Sequence, residues 1–155
     1  MMAHPFRSLL LAATVLVAAS SIPELSAQGV PALKVERSYA SARAKAKSDG
    51  RLLFIMFEAD DCKHCKKFYD KVLNTAVFRN FAKDHLTMVI YNFDTLDNLP
   101  DSEQKVADQF VLNFDIEITP TMLVFGPDGK NIVKTKGYRG TSADKIVAQL
   151  RSSLP

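Results

Sequence analysis

Leu52-Leu53-Phe54-Ile55-Met56-Phe57 leads through Glu58-Ala59-Asp60-Asp61 into Cys62-Lys63-His64-Cys65, whose two cysteines are the only ones among the 155 residues. Six apolar residues in a row, with no polar alternation, predict a strand covered on both faces. Beyond Cys62 the period changes: Cys65, Phe68, Tyr69 and Val72 recur at three and four residues, the spacing of a helix. The cysteines therefore stand at a strand-to-helix junction. Residues three apart in a first helical turn share a face, within the roughly 4.4–6.8 Å Cα separation that a disulfide requires. Such a pair can open and close, so thiol–disulfide exchange is the chemistry expected here.

The position of each sulfur implies its role. Cys62 sits where helical N–H groups point outward and the helix dipole is positive, which favours thiolate over thiol and makes it the expected nucleophile. Cys65, one turn deeper, is expected to be shielded and to resolve the mixed disulfide. His64 can donate a hydrogen bond to the Cys62 sulfur and Lys63 adds a second cation, both lowering the thiol pKa, while Asp60 and Asp61 act in the opposite sense. Zinc fits poorly, because Cys62, Cys65 and His64 or His85 are too few ligands at unsuitable spacing. Haem attachment would need histidine where Lys66 stands. A permanent staple closing a four-residue loop would constrain the unfolded chain little. Copper(I) binding stays open, since thiolates suit that ion.

Working outward, Ser38 to Ser48 is built from helix formers and Gly50 is placed to end it. Asn74 is expected to open a further helical stretch carrying Val77, Phe78 and Phe81, and Leu86 to Phe93 a second buried strand. Asp94 to Asp101, with Asn98 and Pro100, reads as a loop before a helix from about Ser102 to Phe110. Thr121 to Phe125 and Asn131 to Thr135 are strand runs joined by Gly126-Pro127-Asp128-Gly129-Lys130, a hairpin connection. Thr141 or Ser142 then caps a last helix with Ile146, Val147 and Leu150 facing inward. Phe54, Phe57, Phe68, Phe78, Phe81 and Phe125 are assigned to the core. This order of elements implies an α/β fold, a central mixed sheet of about four to five strands flanked by helices on both faces.

The N-terminal stretch is set apart from that domain. Arg7 precedes the uncharged run Leu9 to Ala19, and Leu25-Ser26-Ala27 offers a small residue for cleavage, the pattern of a secretory signal over residues 1–27. The run is short for a bilayer crossing of about 20 residues, which ranks a retained anchor second. Cleavage after Ala27 removes Arg7 and Glu24 together, so the formal net charge of +3 is unchanged. Residues 28–155 then form one domain. The charge is spread along the sequence, with no basic block to suggest nucleic acid.

Four separated features together resemble the thioredoxin-like family, especially the small exported thioredoxin-like proteins of bacteria. They are Ala44-Lys45-Ala46-Lys47 running into Leu52-Leu53-Phe54, the Cys62-Lys63-His64-Cys65 site, Ile118-Thr119-Pro120-Thr121 before a strand, and Gly137 after the hairpin. The resemblance implies that Pro120 is a cis-proline beside the cysteines, and that the Thr119 backbone pairs with an extended substrate. It also exposes two departures. Asp61 stands where the family usually has tryptophan, and Met56 and Ile90 occupy the places of a buried aspartate and its partner lysine. Glu58, two residues further along the strand, is the candidate to take the proton of Cys65. Lys63, Lys66, Lys67 and Lys71 form a basic collar that suits a partner with acidic residues near its cysteines.

The expected protein is therefore a monomeric, periplasmic thiol–disulfide oxidoreductase that reduces disulfides of exported proteins and needs no small-molecule cofactor or metal. A membrane-bound electron donor is the implied partner. Oxidase or isomerase activity is the alternative, and a non-enzymatic copper-binding or adaptor module the third reading.

Overall fold

The computed structural model describes residues 30–154. The proposed signal segment and its cleavage point lie outside these residues. Among the described residues no helix is long and apolar enough to cross a membrane.

The described residues begin with an extended lead that bridges to the sheet at Val35–Met88 and packs Leu33 against the core. Helix α1 (Tyr39–Asp49) follows, with Ser38 accepting the Ser41 N–H at its start and Gly50, at a φ of 65°, closing its end; a positive φ is adopted readily only by glycine. Next come β1 (Leu52–Glu58), α2 (Lys63–Phe68), a π-helical turn (Tyr69–Leu73), α3 (Ala76–His85) and β2 (Leu86–Asn92). A 3-10 helix (Phe93–Asn98), α4 (Asp101–Phe114), β3 (Thr121–Phe125), β4 (Asn131–Lys136) and α5 (Ala143–Arg151) complete the fold. The four strands lie in the order β2-β1-β3-β4, with β1 parallel to β2 and antiparallel to β3.

Strand β1 has a neighbour on each edge and a hydrophobic layer on each face, which is why its sequence shows no polar alternation. Leu52, Phe54 and Met56 point into a core built with Phe68, Phe78, Phe81, Val147 and Leu150 from α2, α3 and α5. Leu53, Ile55 and Phe57 point into a second core with Ala42, Ala46, Ala107 and Phe110 from α1 and α4. Phe57 is fully buried and its ring lies 5.2 Å from Tyr91 and 5.7 Å from Phe93. Burial of each such side chain contributes about 1.5–3 kcal/mol. The register fixes the departure noted above: Met56 pairs directly with Ile90, so two apolar side chains meet where an ion pair was absent from the sequence.

Three local expectations are corrected. Thr75, not Asn74, caps α3, its hydroxyl accepting the Phe78 N–H at 3.3 Å; Asn74 instead ends the π turn. That start turns Phe78, Phe81 and Ala82 inward and leaves Val77 exposed. The stretch after β2 is a 3-10 helix rather than an open loop, with Asn92 accepting the Asp94 N–H at 2.9 Å. Helix α4 runs one turn beyond Phe110, to Phe114.

One carboxylate belongs to the core. Glu103 is 7% exposed, and its Oε2 accepts both the Tyr91 hydroxyl at 2.9 Å and the Tyr39 N–H at 3.0 Å. It sits in the first turn of α4, and Tyr39 opens α1, so a side chain from one helix start accepts the first N–H of the other. Glu103→Ala leaves a buried hydroxyl and a helix-start N–H unpaired; it is expected to lower stability by about 2–4 kcal/mol in urea unfolding, with Glu103→Gln costing less. A loss under about 0.5 kcal/mol would show that the carboxylate does not hold α1 to the sheet.

Candidate active site

The C-terminal end of β1 delivers the chain to a tight turn, in which the Cys62 N–H donates to the Ala59 oxygen at 3.3 Å. Cys62 is the N-cap of α2, and its Sγ accepts the Cys65 N–H at 3.0 Å. The sulfur thus fills the position that a serine or aspartate oxygen takes in other helix caps. Cys62 and Cys65 are joined in a disulfide with their Cα atoms 5.1 Å apart. Cys62 is half-buried at the surface, whereas Cys65 is 3% exposed and backed by the core. In the reduced protein, the N–H that points at Cys62 would stabilise its thiolate.

His64 is hydrogen-bonded to another segment of the chain. Its Nδ1 lies 3.2 Å from the Tyr138 carbonyl oxygen, an acceptor only, so Nδ1 carries the proton. In the neutral imidazole the other nitrogen then has none to give, and the donor to Cys62 Sγ is the Cys65 amide instead of the expected imidazole. The contact ties α2 to the segment after β4. Tyr138 completes it: its ring packs against Phe68 at 5.2 Å and its hydroxyl donates to the Thr141 oxygen at 3.0 Å. Lys63, the first residue of α2, is exposed.

The other wall comes from the start of β3. The Thr119–Pro120 peptide is cis. Pro120 is buried and its carbonyl accepts the Gly137 N–H at 2.8 Å. Thr121 pairs with Phe57 in the antiparallel register, which sets Pro120 beside Glu58 at the end of the sheet that carries Cys62. Thr119 is partly exposed, and the neighbouring Ile118 is 50% exposed.

Glu58 closes β1 and pairs in register with Asn92. Burial raises its carboxyl pKa above the ordinary value; a hydrogen bond from Tyr69 lowers it in part, and the nearby Asp60 raises it. Tyr69 itself is held protonated by burial and by the facing carboxylate. Four residues after Cys65, Tyr69 lies on the same side of the helix, its N–H donating to the Cys65 oxygen. Tyr69 is a site residue that the sequence reading did not single out except as a helix-period position.

Comparison with known proteins follows the same outline. The family described as the thioredoxin-like domain matches residues 39–153. The disulfide bond reductase DsbH of Chlamydia pneumoniae is 25% identical over 118 residues, covering 76% of this chain and 70% of that protein. A DsbH oxidoreductase structure superposes with a TM-score of 0.70 at 22% identity, covering 96% of this chain and 94% of that one. A thioredoxin from Thermus thermophilus gives 0.60 at 18% identity, over 79% and 88% of the two chains. The C-terminal domain of Neisseria meningitidis DsbD in its reduced form gives 0.53 at 18%, over 73% and 90%.

The raised carboxyl of Glu58 has a measurable consequence. The folded protein holds this proton more tightly than the unfolded chain does, so the group favours folding at low pH and that contribution is lost as pH rises through the folded value. Glu58→Gln, which mimics the protonated form, is expected to raise the melting temperature at pH 7 and to leave it nearly unchanged near pH 4. A variant destabilised at pH 7 and unaffected at pH 4 would contradict the burial of this carboxyl.

Proposed function

This chain belongs to the thioredoxin-like family and is a thiol–disulfide oxidoreductase; on that premise we propose that it reduces disulfides of exported proteins through a Cys62/Cys65 cycle. The observation that carries the reading is the asymmetry of the pair: one sulfur at the surface on a helix cap, its mate 3% exposed directly behind.

In the reduced protein the Cys62 thiolate attacks one sulfur of a client disulfide. The client's S–S bond breaks, its other sulfur leaves as a thiolate and takes a proton, and Cys62 is left in a mixed disulfide. Cys65 then loses its proton and attacks Cys62 Sγ, releasing the second client sulfur. Two electrons have moved to the client, and the Cys62–Cys65 disulfide remains. Glu58, held toward its protonated state by burial, is the group assigned to exchange the Cys65 proton, standing in for the carboxylate that Met56 replaces. Thr119, ahead of the cis-Pro120, offers its backbone to an extended client segment.

Reduction is favoured over oxidation on two grounds. The relative named as a disulfide bond reductase supports it. An imidazole bonded to the Cys62 sulfur would lower the thiol pKa and make the disulfide more oxidising, and His64 is hydrogen-bonded to the Tyr138 carbonyl instead. The charged residue and uncharged run before Ala27 support export to the periplasm and cleavage of residues 1–27, and we take residues 28–155 as the working domain, acting as a monomer. A reductase working there must be recharged, so a membrane-bound electron donor is the second partner.

Two measurements test this. Cys65→Ser is expected to accumulate stable mixed disulfides through Cys62, and Cys62→Ser to accumulate none; trapping through Cys65 would reverse the roles. The reduction potential of the pair is expected near that of reducing thioredoxins, about −270 mV, whereas a value near about −120 mV would make the protein an oxidant.

A further inference from the structure

The sequence changes sign at the nucleophile. Asp60 and Asp61 precede Cys62, and Lys63, Lys66, Lys67 and Lys71 follow it, all exposed. Lys63, Lys67 and Lys71 are spaced by four, a like-charge ladder that weakens a helix where alternating signs would support it. Asp70 offsets Lys66 at that spacing. Among the described residues, none of these lysines takes part in an ion pair.

The ladder borders a groove. Lys67 and Lys71 line an open cleft of about 520 Å³ with Tyr138, Gly140 and Ser142. The cleft lies beside the active site, because Tyr138, whose carbonyl holds His64, is one of its lining residues. Its lining holds two cations, Lys67 and Lys71, and no acidic side chain, while Asp70 and Asp144 are the acidic groups on the elements that border it. A cleft with a tyrosine floor and a surplus of unpaired cations, beside a surface sulfur, matches a polypeptide segment carrying carboxylates.

We propose that this groove is a client-selection surface that takes an acidic segment flanking the client's reactive cysteine. The proposal rests on the oxidoreductase reading and narrows its substrate class. Cationic side chains there raise the local concentration of acidic clients and speed their encounter with Cys62, while Asp60 and Asp61 disfavour the same segment bound in the reverse direction.

The test uses the reduced protein and three cyclic peptides, each closed by one disulfide and differing only in a four-residue flank of aspartate, serine or lysine. Oxidation of the protein is followed by acid quench and thiol counting. At low ionic strength the aspartate peptide is expected to react about 10-fold or more faster than the lysine peptide, with serine between. At about 1 M salt, where screening acts within about 3 Å, the ratio is expected to fall toward one. The double variant Lys67→Glu with Lys71→Glu is expected to invert the ratio. Equal rates for all three peptides would overturn the proposal and leave the oxidoreductase reading standing, as would a preference that the double variant leaves unaltered. Failure to react with any of the three, the uncharged one included, would sink the oxidoreductase reading and this proposal with it.

Discussion

Everything at the active site depends on β1 being immobile. It is paired on both edges and buried on both faces. A register slip of one residue would exchange Leu53, Ile55 and Phe57 with Phe54, Met56 and their neighbours, sending each set into a core shaped for the other. The strand therefore delivers Cys62 to one fixed point, where α2 begins. The helix start then does the chemistry: an N–H that needs an acceptor finds a sulfur, and the next turn holds the second sulfur behind the first. Precision comes from the sheet and reactivity from the cap.

The interior is otherwise economical with charge, and its carboxyl groups stand at the ends of elements. Glu103 lies in the first turn of α4, where the Tyr39 N–H at the start of α1 and the Tyr91 hydroxyl satisfy it. Glu58 lies at the end of β1, half-enclosed, with Tyr69 facing it. Met56 and Ile90 make the middle of β1 and β2 apolar, and the carboxyl on this strand is Glu58, one side-chain repeat further out. That position is nearer the solvent and the turn bearing Cys62. The cost of holding a carboxyl there is accordingly smaller than deep in the sheet.

The sheet and its helices were legible because burial on two faces leaves a continuous apolar run, as in Leu52 to Phe57, and burial on one face leaves a helical period. The cysteine pair was legible because its spacing is itself the geometry. What the sequence hid was decided by contacts between distant segments. His64 was expected to serve the adjacent sulfur, and its partner is a carbonyl 74 positions away. Glu103 occupies the stripe shared with Ala107 and Phe110, so a charged residue in a buried helix face was the available signal, and its partners Tyr39 and Tyr91 come from other elements. Asn74 and Thr75 are both good caps, and the π turn before them, which local propensity does not encode, decides between them. Alternating alanines in α1 obscured the inner pair, Ala42 and Ala46, which are buried.

The chemistry of the site reduces to a difference between two sulfurs, and differential alkylation reads it directly. After reduction, the folded protein is treated with iodoacetamide across a pH series and the labelled positions are mapped by mass. Cys62 should label first, at pH values well below the ordinary thiol pKa of about 8.5, with Cys65 labelling only when the chain is unfolded. Protection of both residues in the native protein, or faster labelling of Cys65, would contradict it.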